Sequence, residues 1–116
     1  MPSQKEHKAQ ALHNENFFSD LESYSNYNDW VITGIFYSAL HYIDSYFGGL
    51  SKPKHPNSHK DRTRFIQGDS TTMLIMKNYR KLKDYSMNAR YKLIQINPQD
   101  IKDAKSQLND IKSTIL

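Results

Sequence analysis

WVITGIFYSALHYIDSYF, residues 30–47, is the stretch whose reading decides the fold. Val31, Ile32, Ile35, Phe36, Leu40, Ile43 and Phe47 leave it almost no polar face. A helix that is apolar nearly all round belongs at the centre of a bundle or in a membrane. The apolar run over 30–50 is long enough to span a bilayer. Yet His41, Asp44 and several hydroxyls sit near its middle, where ionisable groups are expensive in lipid. The reading is therefore the central helix of a soluble bundle. Asn28 or Asp29 is placed to cap its start, and Gly48-Gly49 to end it as a C-terminal glycine cap.

Working outward, the spacing predicts a first helix over 5–24. Phe17, Leu21 and Tyr24 form its apolar stripe, with Phe18 beside it. SYSNYND (23–29) breaks the pattern before the central helix, and LSKPKHPN (50–57) reads as a loop after it. Asn57 or Ser58 then caps a short helix over about 58–67. Gly68 ends that helix, and Asp69 or Ser70 caps the next. Ile75, Tyr79, Leu82, Ser86, Ala89, Leu93 and Ile96 step by four and three, which predicts one long helix over 71–96 with room for a kink near Asp84. Asn97 and Pro98 start the last helix, whose seam is Ile101, Ala104, Leu108, Ile111 and Ile115. That seam suits packing within the chain or a dimer interface, and the intramolecular reading is preferred. No segment alternates with period two. The expected fold is all-α, an up-and-down bundle of four to five helices, with 1–116 as a single domain.

The composition narrows the classes. The 116 residues include no cysteine, which removes disulfides and thiolate metal sites and fits a cytoplasmic protein. The start, MPSQKEHKAQ, lacks the apolar core of a secretory signal, so neither export nor a membrane partner is expected. The net charge of +4 is unevenly placed. Residues 1–50 hold two Lys against six acids, and 51–116 hold fourteen Lys or Arg against six. The basic excess falls in 51–92. It reads either as a solvated surface or as an attraction for phosphates.

Three constellations carry polar chemistry. Tyr37, His41 and Asp44 share one face of the central helix at i, i+4 and i+7. There a carboxylate can orient an imidazole for proton transfer, or the two can form a satisfied polar pair. HPNSHKDRTRF (55–65) places His59 and Arg62 three apart at a helix start, where backbone donors and the helix dipole favour an anion. In this arrangement His59 moves a proton and Arg62 stabilises phosphoryl charge, unless the segment is only a charged surface helix. His55 and His59 are four apart across Pro56, which argues against a metal site, and none is expected. NYRKLKDYSMNARY (78–91) and the Lys92 that follows interleave Arg80, Lys81, Lys83, Arg90 and Lys92 with Tyr79, Tyr85 and Tyr91, a pattern that suits either base stacking or core packing. Arg90 lies beside the apolar seam, so it calls for an acid, with Asp44 or Glu22 as the candidates.

These segments together resemble a branch of the HEPN superfamily (higher eukaryotes and prokaryotes nucleotide-binding). The matching residues are Phe36, Tyr37, Ala39, Leu40 and His41 on the central helix, His59 and Arg62 after it, and Tyr79, Leu82, Ser86, Ala89, Arg90 and Tyr91. The resemblance covers about 29–91. It implies an up-and-down helical bundle, often a homodimer, with no cofactor. Members of this superfamily are metal-independent RNases, frequently toxins, or bind nucleotides, or pair as antitoxins with a small nucleotidyltransferase. In the RNases an arginine is followed roughly four to six residues later by a histidine. Here the first arginine is Arg62 and the last histidine is His59, so no arginine precedes any histidine. The resemblance therefore implies a non-catalytic module that binds a nucleotide, RNA or a protein partner. The alternatives are an RNase using His59 or His41 with Arg62 or Arg90, and a structural oligomerisation subunit. Tyr37, Asp44, Arg90 and Tyr91 are the expected binding residues, and His59, Arg62 and His41 the catalytic ones.

Overall fold

A computed structural model describes residues 2–22 and 27–116. Among them are five α-helices: α1 (Gln4–Glu22), α2 (Asn28–Gly48), α3 (His59–Gly68), α4 (Met76–Arg90) and α5 (Pro98–Ile115). A short 3-10 turn, Thr72–Ile75, precedes α4, and no strand occurs among the described residues. The chain is an all-α bundle.

α2 is the central helix, as its sequence requires. It packs against α1, α4 and α5, and fourteen of its 21 residues are buried. Each large side chain buried there, such as Phe36 or Phe47, contributes about 1.5–3 kcal/mol relative to exposure. The pairings fix the helix directions. Ser45 Oγ donates to the Gln4 carbonyl, His7 meets His41, Ser38 Oγ donates to the Ala11 carbonyl, and Phe18 rests on Gly34. Numbers rise along α1 as they fall along α2, so the two are antiparallel. Asn78 with Gln107 and Tyr85 with Asp103 pair α4 antiparallel to α5 in the same way. Lys112 with Glu15 and Lys105 with Glu22 close α5 onto α1. The result is up-down-up-down, with α3 as a short extra helix.

Several boundaries differ from the sequence expectation. In α1 the inward stripe is His7, Ala11 and Phe18, while Phe17 is half exposed. The phase turns by one residue because Gly34 leaves a gap for Phe18: a Cβ on Gly34 would stand 3.0 Å from Phe18 Cβ. Tyr24 and most of the 23–29 break lie outside the described residues. Neither Asn28 nor Asp29 caps α2. Tyr27 holds the cap position without a side-chain bond, and Asn28 Nδ2 donates instead to the Ile96 carbonyl at 3.2 Å. Gly49 ends α2 at φ −91°, in the right-handed region, and no glycine of the described residues has positive φ. A Cβ on Gly49 would meet only the end of the Gln4 side chain, which is free to turn aside.

The helix expected over 71–96 is shorter. α4 runs unbroken through Asp84 but stops at Arg90. Beyond it Tyr91 N and Lys92 N both donate to the Met87 carbonyl, Ile94 N donates to Asn88, and Leu93 takes φ 53°. The chain must reverse here to lay α5 back against α4, and the residue before Pro98 is itself disfavoured in a helix. Leu93, placed on the seam by its spacing, is 84% exposed. α5 follows its expectation closely: Asn97 and Asp100 form a reciprocal capping box, and Ile101, Ala104, Leu108 and Ile111 are buried. α3 is capped by Ser58. Asp69 accepts from Thr71 N and Thr72 N ahead of the 3-10 turn, but neither Asp69 nor Ser70 caps α4, whose cap position is held by Ile75 without a side-chain bond.

Candidate functional site

α3 is phased by its Ser58 cap so that Arg62 and Ile66 point inward. Asp44 of α2 waits on the other side. Arg62 Nε donates to Asp44 Oδ1 at 2.7 Å and Nη2 to Oδ2 at 2.9 Å, a bidentate pair with both side chains buried. Burial opposes the charge on Arg62, but the bonds to Asp44 outweigh it and hold its pKa above the ordinary value. The Tyr79 hydroxyl is also buried there and makes no hydrogen bond of ordinary geometry. Burial raises its pKa, and the neighbouring Arg62 partly offsets that.

His59 stands at the edge of this pair. Arg62 Nη1 lies 3.4 Å from His59 Nδ1. A guanidinium can only donate, so Nδ1 is the accepting nitrogen and the ring proton sits on Nε2. Partial burial, then the charges of Arg62, Lys83 and Arg90, push the His59 pKa down. His59 is thus a neutral ring in a basic setting.

The pairings expected from sequence are redistributed. Asp44 accepts from Arg62 and makes no hydrogen bond to His41. His41 instead shares a 3.0 Å hydrogen bond with His7, Nδ1 to Nδ1, in which one ring donates and the other accepts. Burial lowers the pKa of both rings. His7 lowers His41 further, while Asp44 opposes the shift. His7 was not a candidate, although its place on the stripe with Ala11 and Phe18 was the available signal. Arg90 receives neither proposed acid, because Asp44 is taken by Arg62 and Glu22 by Lys105. Its Nη1 donates to Tyr37 Oη at 2.8 Å, and its guanidinium lies over the Tyr37 and Tyr91 rings. A cation so placed is held by ring faces rather than by a counter-charge.

The α3 start also differs from an anion cradle. Ser58 Oγ accepts from Asp61 N, and the Asp61 carboxylate accepts from Asn57 N and from Arg64. A carboxylate of the chain already complements that helix end. An excess of positive charge lies farther along α3 and α4. Lys60, Asp61, Thr63, Arg64, Gln67 and Lys83 line an open hollow of about 490 Å³, in which Asp61 pairs with Arg64. Lys60, Lys83 and Arg90 have no carboxylate partner among the described residues.

Thus the structure joins His59, Arg62 and Asp44 in one polar cluster. It joins His41 to His7, and Tyr37 and Tyr91 to Arg90. Among the described residues no group of three or more His, Asp or Glu side chains is arranged to hold a metal ion. No described helix is long and apolar enough to cross a membrane. Compared with known protein families, characterised proteins and solved structures, the chain matches none of them.

Proposed function

We propose that this chain is a HEPN-like, non-catalytic module that binds RNA or a nucleotide by its phosphates, on the face formed by α3 and α4. The observation that supports this reading most is the division of the cations. Arg62, the arginine that could have served a reacting phosphate beside His59, is only 7% exposed and bonded to Asp44. Lys83 and Arg90 act on the neutral His59 ring, and Lys60 and Lys83 line the neighbouring hollow, all three without a carboxylate partner among the described residues. Such a face attracts a phosphate backbone, while the one arginine bonded to the His59 ring is already committed to a buried carboxylate.

The test is a labelled single-stranded RNA titrated with the whole chain over a range of salt, with chelator present, followed by a gel of the same RNA. The expected result is salt-dependent binding, with a slope of about two for roughly three phosphate contacts, and intact RNA. Cleavage that disappears in His59→Ala overturns the non-catalytic part. No binding at low salt overturns the phosphate-binding part.

A further inference from the structure

Trp30 is the only tryptophan in the sequence, and it stands in the first turn of α2 with 55% of its surface exposed. Two hollows meet at it. One, of about 380 Å³, runs between α1 and α2 past Phe17 and Tyr37 to His41. The other, of about 290 Å³, is bounded by Trp30, Asp29, Thr33, Ala89, Arg90 and Leu93. That size lies at the small end of ligand sites, which run from about 300 Å³ upward, and suits one flat heterocycle.

The chemistry of the smaller hollow is specific. Trp30 and Leu93 give it apolar walls. Leu93 holds φ 53° while 84% exposed. A leucine in the left-handed region is strained, and burial of its own side chain returns nothing here. Arg90 brings a positive charge fixed in place by Tyr37 Oη. The Thr33 hydroxyl donates to the Asp29 carbonyl at 2.8 Å, so its proton is not offered to a ligand. The Asp29 carboxylate has no hydrogen bond or ion pair among the described residues. An aromatic face, an acceptor-only edge and a cation together match a stacked base that carries N–H donors and a phosphate.

We infer that Trp30, Asp29 and Arg90 form a nucleobase site, with the base stacked on Trp30 and its donor edge on Asp29. The phosphate lies toward Arg90 and the basic face of α3 and α4. Guanine fits best, since its N1–H and N2–H present two adjacent donors to the two carboxylate oxygens. Uracil offers one N–H flanked by carbonyls, which a carboxylate repels. This site rests on the phosphate-binding reading and extends it by naming the base.

Trp30 emission reads the site directly in the unmodified chain. It is titrated with 5′-GMP, 5′-UMP, inorganic phosphate, and single-stranded RNA with and without guanine, while RNA binding is followed separately by anisotropy. The expected result is quenching by GMP, weaker quenching by UMP and none by phosphate. Trp30→Ala is expected to weaken binding of the guanine-containing strand about tenfold, and Asp29→Asn to remove the preference for guanine over uracil. Quenching by the free nucleotide alone, or by the strand alone, supports the site and identifies which source supplies the base. RNA binding with unchanged Trp30 emission overturns the base site and leaves the phosphate-binding reading standing. No RNA binding and no quenching overturns both.

Discussion

On the inward face of α3, Arg62 is buried and gives two hydrogen bonds to Asp44; on its outward face, two residues later, Arg64 is exposed at 73% of its side chain and pairs with Asp61 on the same helix. Both arginines lie in one short run of charge, and composition treats them alike. Their environments do not. The inward pair is desolvated, so each partner depends on the other, whereas water screens the outward pair and makes it worth little. The same contrast extends over the molecule. Asp44, Arg62, His7 and His41 are held by one another inside the bundle, while Lys60, Lys83 and Arg90 lie outside without a carboxylate partner among the described residues. Charges that hold the fold and charges left open to solvent are therefore different residues.

The largest expected effect tests the inward side. Asp44→Ala leaves Arg62 buried and unpaired, and is expected to lower unfolding free energy by about 3–5 kcal/mol in a denaturant titration. Asp44→Leu with Arg62→Met is expected to recover most of that loss. If the single change costs no more than a surface substitution, the contrast between the two faces fails.

Acid is expected to act next. His7 and His41 have folded-state pKa values below the ordinary imidazole value, from burial first. The unfolded chain therefore binds protons more readily than the folded one. The stabilisation is full above a pH of about 6.5 and is lost as the pH falls through that value toward the lower folded-state pKa values. The groups that face these rings are Asp44, Arg62, His55 and Glu6 besides each other. Thermal midpoints measured from about pH 7.5 down to about pH 5 should fall, and His7→Gln should flatten the slope.

Asn97→Ala removes the side-chain acceptor of the α5 capping box, with an expected loss of about 1 kcal/mol. It calibrates an ordinary local contact against the buried pair. On the outward side, Lys60→Ala with Lys83→Ala should leave stability within about 0.5 kcal/mol. The same double change should flatten the salt dependence of RNA binding by about 1.4, at roughly 0.7 for each lost contact to a single strand. A clear loss of stability with unchanged binding would place these lysines among the structural charges.

Much of the frame was legible in the chain. The run over 30–47 identified the central helix because few arrangements bury so many apolar groups on every side. The α5 seam and the Asn97-Pro98 start were equally plain, since the cap and the apolar period agree there. The end of α4 was not. Leu93 and Ile96 keep the helical spacing, and only the need to reverse the chain toward α5 removes Leu93 from the seam. The Phe17 and Phe18 choice failed similarly, because neighbouring aromatics give two possible phases and Gly34 on another helix selects one.

The sequence by itself determined the helical class, the central element, the last helix and the basic bias of residues 51–92, because periodicity, caps and charge are local quantities. Only the tertiary structure decided that Asp44 belongs to Arg62, that His41 belongs to His7, and that Arg90 rests on tyrosine rings. Those partners lie 18, 34 and 53 positions apart in the chain. Spacing along one helix says which residues share a face, but burial and the geometry of the facing helix choose the partner.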